Sequence, residues 1–368
     1  MKTLSIDLTY QPVGGALSQI TEIICNLSEY QFSKIIFFTT QENRYLFDGI
    51  KDERVVIHDV NFGHTQIFRR LIWAQCLLPF LILFKKIDIL FCPGNISPIL
   101  SFRKKAQWIG TVGPFEKGFI KPFPFFQKFI LFFSKYLMIF SSHTSDLVFF
   151  ESNYTKNLFT EKYRLKKDKA VVLHIGKDNF YQPKKKDAGE KYILSVSHLY
   201  PYKNFHTLIN AFFEISIQDP NIDLLIAGSV VDKSYFEDLM SLIKELNIEN
   251  RVFFLGRVEK DQLNHLYSNC LFFVFHSPFE NFAYTLIEAM SCGAAIVSTN
   301  TTAMPETCSD AAIYFNPYSV KELVKCMKFF IDNPENIGIY SDKSLNQAKI
   351  YPNYEEINKE TGKFLNEI

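Results

Sequence analysis

Short runs of continuous apolar residues, each closed by a polar or glycine-bearing loop and followed by a stretch of helical period, recur along the chain. Leu271-Phe272-Phe273-Val274-Phe275 has the length of a strand buried on both faces of a parallel sheet. A polar loop follows, His276 to Phe282. Tyr284 to Cys292 then places Leu286, Ile287 and Met290 on one helix face, with Gly293 as the C-terminal stop, and Ala294 to Ser298 reads as the next strand. Earlier strands are expected at Thr3 to Leu8, Lys34 to Thr39, Arg54 to His58, Ile87 to Cys92, Gln107 to Val112, Asp146 to Glu151 and Lys169 to His174. Later ones are expected at Lys191 to Ser197, Ile222 to Ala227, Arg251 to Leu255 and Ala311 to Phe315. Helices are expected at Ala16 to Leu27, Phe205 to Phe213, Asp232 to Leu246, Glu259 to Asn269 and Val320 to Asp332. The polar run Gln182 to Glu190 reads as a linker. Strands thus alternate with helices twice over. The pattern predicts an α/β chain of two doubly wound, Rossmann-like domains facing a cleft, one over residues 1–181 and one over residues 190–350.

Two apolar stretches depart from that alternation. Phe68 to Lys86 has basic ends and an uncharged core, Leu71 to Phe84, of 14 residues, short of the roughly 20 that span a bilayer, and Pro79 interrupts it. Phe119 to Phe140 sets Lys121, Lys128 and Lys135 at seven-residue spacing among aromatic clusters. On a helix these lysines share one face, with Phe and Leu around the rest. That suits an in-plane membrane helix or a docking face for a lipid-linked acceptor, and equally a core helix with one wet stripe.

Hydrophobic residues make up 47% of the 368 positions, enough for two cores. The seven cysteines are scattered and form no CxxC pair, which points to buried free thiols in a reducing cytoplasm rather than a zinc site. The start, MKTLSIDLTY, is not expected to be a signal peptide, because Asp7 breaks its apolar stretch. The net charge of +1 hides an asymmetry. Residues 1–186 hold 26 Lys and Arg against 15 Asp and Glu, and the remainder 14 against 24. A basic half suits a phospholipid surface or a lipid pyrophosphate, or else attracts the acidic half. No nucleic-acid partner is expected.

The unit after Leu271 to Phe275 carries two carboxylates, Glu280 in the loop and Glu288 on the helix. In an open parallel sheet, ligands sit beyond the carboxyl ends of the strands. Backbone N–H groups at a helix start, with the macrodipole behind them, form an anion site suited to pyrophosphate. A carboxylate about a turn into the helix can accept two hydrogen bonds from a ribose diol, and a loop carboxylate can hold sugar hydroxyls. The plainer readings are an acid favoured near a positive helix end and a solvated loop acid.

These residues resemble the signature of the family 4 glycosyltransferases, retaining enzymes of the GT-B fold. The family pattern is Pro-Ser-x-x-Glu-Gly-Phe-Gly-x-x-x-x-Glu-Ala-Met-Ala-x-Gly-x-Pro-Val, with a later Pro-Glu. This chain reads His276-Ser277-Pro278-Phe279-Glu280-Asn281-Phe282-Ala283, then Glu288-Ala289-Met290-Ser291-Cys292-Gly293-Ala294-Ala295-Ile296-Val297, then Pro305-Glu306. Asn281 and Ala283 replace two glycines, and His276 and Ala295 replace prolines. The resemblance implies that Glu280 holds the donor sugar and Glu288 the ribose, with the backbone around Phe282, Ala283, Tyr284 and Thr285 on the diphosphate. Where relatives have Arg-x-x-x-x-Lys to clamp the diphosphate, this chain has His198 and Lys203. Gly14-Gly15 resembles the glycine loop placed opposite the donor. Gly228 follows another strand, and Gly256-Arg257-Val258 is the loop that relatives lay against the nucleotide base. Thr111-Val112-Gly113 stands where many relatives carry a His-Asp pair, leaving Glu116 and Asn95 as acceptor-side candidates. Residues 351–368 are expected to return as a helix across the first domain.

The implied activity is a hexosyltransferase using a nucleotide-diphosphate sugar, with no cofactor and, in the absence of an Asp-x-Asp, no metal. The implied acceptor is a lipid-linked surface polysaccharide at the inner face of a bacterial membrane, with the protein cytoplasmic and peripheral. The alternatives are a nucleotide-sugar epimerase on the same fold and a non-catalytic glycan- or lipid-binding relative. A nicotinamide dehydrogenase is disfavoured, since Gly14-Gly15 lacks the third glycine and the acidic ribose ligand.

Overall fold

The computed structural model describes residues 2–12, 14–63, 66–185 and 191–368. It divides into two compact units, one of Met1–Gly176 with Pro352–Ile368 and one of Lys177–Tyr351. Of the expected linker, residues 186–190 lie outside the described residues.

The first unit is built on seven strands: β1 (Thr3–Leu8), β2 (Lys34–Thr39), β3 (Val55–Asp59), β4 (Ile89–Cys92), β5 (Lys104–Ile109), β6 (Leu147–Phe150) and β7 (Ala170–Val172). They lie in the order β3-β2-β1-β4-β5-β6-β7, every pair parallel. Strands covered on both faces need apolar side chains on both. In β2, Ile35 and Phe37 join the core shared with Ile20 and Ile24 of the helix Gly15–Cys25, while Ile36 and Phe38 join Leu78 and Ile82 on the other face.

Three expectations shift here, each for a physical reason. The fifth strand is Lys104–Ile109, not Gln107 to Val112, because a lysine is buried within it. The Lys105 ammonium donates to the Pro98 carbonyl and to Thr144 Oγ1 (2.7 Å), and burial pushes its pKa down to about 8. Pro79 does not break its segment. Ile67–Ile72, a π-helical turn at Trp73–Leu77 and Leu78–Phe84 run on, with the proline near the start of the last piece, where its missing N–H is tolerated. This run of 18 residues, with mean hydropathy 1.7, has the length and composition to cross a membrane, yet Leu78 and Ile82 are fully buried against the sheet. The aromatic helix is Phe125–Thr144, so Lys121 precedes it and does not share its face with Lys128 and Lys135. Pro122 and Pro124 disfavour helical dihedrals at the residues before them, which delays the start.

The returning segment is the helix Tyr354–Glu367, begun by a reciprocal capping box between Asn353 and Glu356. Its Ile357 and Leu365 enter the first unit's core with Leu27 and Trp108, and the buried Tyr30 hydroxyl donates to Asn358 Oδ1 (2.9 Å).

The second unit carries β8 (Lys191–Val196), β9 (Ile222–Ala227), β10 (Val252–Gly256), β11 (Phe272–Phe275), β12 (Ile296–Thr299) and β13 (Ala312–Phe315). Their order is β10-β9-β8-β11-β12-β13, again all parallel. The chain therefore reverses its direction of winding between β8 and β11. A helix at Glu335–Ala348, absent from the sequence expectations, precedes Tyr351, whose hydroxyl donates to the Thr307 carbonyl (2.8 Å).

The turn into the returning helix allows no side chain at Gly176, where a Cβ would lie 2.6 Å from Tyr354 Cα and 2.7 Å from its nitrogen. Gly176→Ala is expected to destabilise the protein by about 1–3 kcal/mol in chemical denaturation. An unchanged midpoint would contradict this packing.

Candidate functional site

Ligands of open parallel sheets bind beyond the strand ends where the winding reverses, and in the second unit that point lies between β8 and β11. Lys203 follows β8 and Glu280 follows β11. Lys203 ends a short 3-10 turn, Pro201–Lys203, and Asn204 (φ 63°) leads into the helix Phe205–Gln218. The Lys203 ammonium forms an ion pair with Glu280 Oε1, with the two side chains 15% and 17% exposed. The same oxygen accepts from Ser277 Oγ (2.7 Å). Tyr202 lies beneath the ammonium, 5.4 Å from its ring centroid, and stacks on Tyr200.

The loop carrying Glu280 is held by threonines at and just after the end of β12, the neighbouring strand. Thr299 Oγ1 donates to the Ser277 carbonyl and Thr301 Oγ1 to the Pro278 carbonyl, each at 3.0 Å, while the Glu280 N–H donates to Thr302 Oγ1 (3.4 Å). Thr302 has φ 52°, an unfavourable conformation for a β-branched residue, kept where surrounding contacts over-determine it. On the loop's other side, His276 Nδ1 lies 2.6 Å from the Lys203 carbonyl oxygen. The threonines were not among the residues named from sequence, and His276 was named only as a departure from the family's proline. The role of Thr299, Thr301 and Thr302 arises from strand adjacency, since β12 lies beside β11.

His198, also after β8, is exposed, and its Nδ1 accepts the Ser229 N–H (3.2 Å), which leaves Nε2 to carry the proton. Desolvation, then the charges of Lys203 and Arg257, hold its pKa below the usual histidine range. It is a neutral N–H donor, not a second cation. Arg257 is exposed beside it, with the half-buried Val258 next, after Gly256 (φ 66°) ends β10. Gly228 is required by close packing. Its φ is 144°, a Cβ there would stand 2.0 Å from the Ser197 carbonyl oxygen, and its N–H donates to the Gly256 carbonyl (2.8 Å).

The helix Tyr284–Ser291 starts at Ala283 with no side-chain cap, and Thr285 lies in its first turn. Neither Asn281 nor Ala283 has a positive φ, so replacing the family's glycines there imposes no backbone strain. Phe282 is buried against Tyr351, with ring centroids 5.6 Å apart, and contacts Tyr284.

Glu288 does not share its hydrogen-bond partners with Glu280. Its Oε2 accepts from the Tyr267 hydroxyl (3.0 Å), and Tyr181 also bonds to it. Burial pushes its pKa up to about 7, against the lowering effect of the Tyr267 hydrogen bond. Gly14 (φ 55°) and Gly15 belong to the first unit, at the start of the helix Gly15–Cys25 after β1. The acceptor-side candidates have structural duties there. Asn95 Oδ1 accepts the Gly110 N–H (2.7 Å), and Glu116 accepts from the Tyr154 hydroxyl (2.8 Å). Among the described residues, no three His, Cys, Asp or Glu side chains gather as a metal site would require.

Residues 176–347 match the family model described as glycosyl transferases group 1. A Campylobacter jejuni N-acetylgalactosamine-N,N'-diacetylbacillosaminyl-diphospho-undecaprenol 4-alpha-N-acetylgalactosaminyltransferase is 32% identical over 160 residues, 42% of each chain. The Salmonella typhimurium O-antigen chain mannosyltransferase RfbU is 26% identical over 193 residues, 52% of each. The chain spans about half or less of the length of the curated relatives it matches. A crystal structure of Anabaena Alr3699/HepE in complex with UDP aligns over 100% of both chains, with a TM-score of 0.76 at 18% identity. That likeness shows the fold, which is GT-B.

The Glu288 environment has a measurable sign. Its carboxyl ionises near 4.5 when unperturbed and at about 7 in the folded protein. Between those values the unfolded chain has lost a proton that the folded one keeps, so stability falls as pH rises through that window. Glu288→Gln is expected to lack this slope and to gain on the order of 1–3 kcal/mol over wild type by about pH 7. Thermal melts across the window test it, and equal slopes in the two proteins would rule out the shift.

Proposed function

With residues 176–347 matching glycosyl transferases group 1, we propose that the protein transfers a sugar from a nucleoside-diphosphate sugar to a lipid-linked or polysaccharide acceptor, retaining the anomeric configuration. The observation that carries this reading is the Lys203–Glu280 pair at the winding reversal of the second sheet. A departing diphosphate develops negative charge and needs donors already in place. Lys203, Arg257, the Nε2–H of His198 and the uncapped start of Tyr284–Ser291 supply them, so the positive charge comes from side chains and not from a metal. A diphosphate takes the ammonium from Glu280, and the released carboxylate accepts hydrogen bonds from the donor sugar. Glu288 serves the ribose. The acceptor attacks from the face the diphosphate leaves, and a phosphate oxygen takes its proton. The relatives' names support the substrate classes: one acts on a diphospho-undecaprenol acceptor, one on O-antigen chains, and the Anabaena structure holds UDP.

The acceptor's lipid fits the first unit's surface, and this unit is assigned to an anionic phospholipid face on the cytoplasmic side. On the helix Phe125–Thr144 the buried residues are Met138, Ser141 and Ser142, while Phe125, Phe129, Phe132 and Phe133 are at least half exposed. Its apolar stripe therefore faces outward, flanked by Lys128 and Lys135 in a half of the chain rich in Lys and Arg.

A thermal-shift panel of UDP-, GDP- and dTDP-sugars names the donor. With it, Lys203→Ala is expected to lower kcat/KM about 100- to 1000-fold. A flat panel, or wild-type turnover by the variant, contradicts the transferase reading. Separately, the protein is expected to float with phosphatidylglycerol vesicles and not with pure phosphatidylcholine. Phe125→Ser/Phe129→Ser/Phe133→Ser should lose that association, and undiminished flotation of the triple variant would remove the assigned face.

A further inference from the structure

His276 stands where the family pattern has proline, and its surroundings give it one available chemistry. The residue is 2% exposed, and its ring meets Phe205 edge-on with centroids 4.3 Å apart. Nδ1 is 2.6 Å from the Lys203 carbonyl oxygen, and a carbonyl only accepts, so Nδ1 carries the proton. Desolvation pushes the imidazole pKa down to about 4, outweighing the hydrogen bond to Lys203, so the ring is neutral. Nε2 is then bare, and it is buried with no hydrogen-bond partner. One tautomer is selected by contact with the main chain of the very residue that reaches Glu280.

Two links therefore join the loops after β8 and β11. One is ionic, between the Lys203 and Glu280 side chains; the other is neutral, from the His276 ring to the Lys203 backbone. A diphosphate that binds Lys203 breaks the first and leaves the second intact. We propose that His276 is a positioning residue, whose Nδ1–H anchors the Lys203 main chain so that the ammonium stays aimed at the diphosphate once it has left Glu280. This rests on the transferase reading of the site. Its cost is a buried nitrogen without a partner, which an apolar ring in the same place would avoid.

That comparison supplies the experiment. His276→Phe keeps the aromatic contact with Phe205 but removes the donor, whereas His276→Asn offers an amide N–H near the Nδ1 position. Wild type, both variants and Lys203→Ala are titrated with UDP and with GDP by calorimetry, and their melting temperatures are measured. His276→Phe is expected to lose about tenfold in diphosphate affinity with little change in melting temperature, and His276→Asn to recover most of it. If His276→Phe binds as wild type does while Lys203→Ala is weakened, the positioning role is overturned and the site reading stands. If Lys203→Ala itself binds normally, both are overturned. Should His276→Phe not fold, nitrogen-15 NMR of the wild-type imidazoles decides, with the His276→Asn variant assigning the resonance. A proton on Nδ1 with bare Nε2 at neutral pH is required, and the opposite tautomer ends the proposal.

Discussion

A largely buried ammonium paired with a carboxylate is the constraint on which the second unit's ligand end depends. Neither Lys203 nor Glu280 keeps much contact with water, and removing either would strand the other, a loss of roughly 3–5 kcal/mol for a well-buried pair. The two come from loops that are distant in sequence and adjacent only because β8 and β11 are neighbours in the sheet. Holding such a pair needs stiff loops. The structure supplies them through Thr299, Thr301 and Thr302 on one side and His276 on the other. A pair of this kind is also easily answered by a ligand, since a phosphate oxygen offers the ammonium what the carboxylate did.

The two glutamates of the motif occupy opposite environments. Glu280 faces an ammonium and a hydroxyl; Glu288 sits among the phenols of Tyr267 and Tyr181 and holds its proton to about pH 7. Carboxyl groups separated in this way take different chemical duties without a change of residue type. At neutral pH, Glu288 can donate as well as accept.

Three strands were legible from sequence to the residue, Thr3–Leu8, Lys34–Thr39 and Ile222–Ala227. The reading slipped where a tertiary contact changed what a residue type means. Lys105 is a strand residue because carbonyl and hydroxyl partners receive its ammonium, and Pro79 stays in a helix because a π turn precedes it. Glu335–Ala348 escaped notice because few of its residues are apolar and Gly338 lies within it. Family spacing drew attention to Lys203, Glu280 and Glu288, and the structure pairs the first two; the threonine clamp and the His276 tie depend on which strands lie side by side. His198 shows the limit of spacing alone, since its position matches a cation and its surroundings make it neutral.

The return of Tyr354–Glu367 to the first unit has a consequence for how the protein is made. Lys177–Tyr351 is an unbroken segment and can close on its own residues as it emerges from the ribosome, but the earlier sheet waits for a wall that is translated after it. Until Ile357 and Leu365 arrive, Leu27 and Trp108 lack part of their cover, so the half that is synthesised first is completed last. Chaperone demand during synthesis should therefore fall on residues 1–176 and be relieved only once residues 352–368 have been translated.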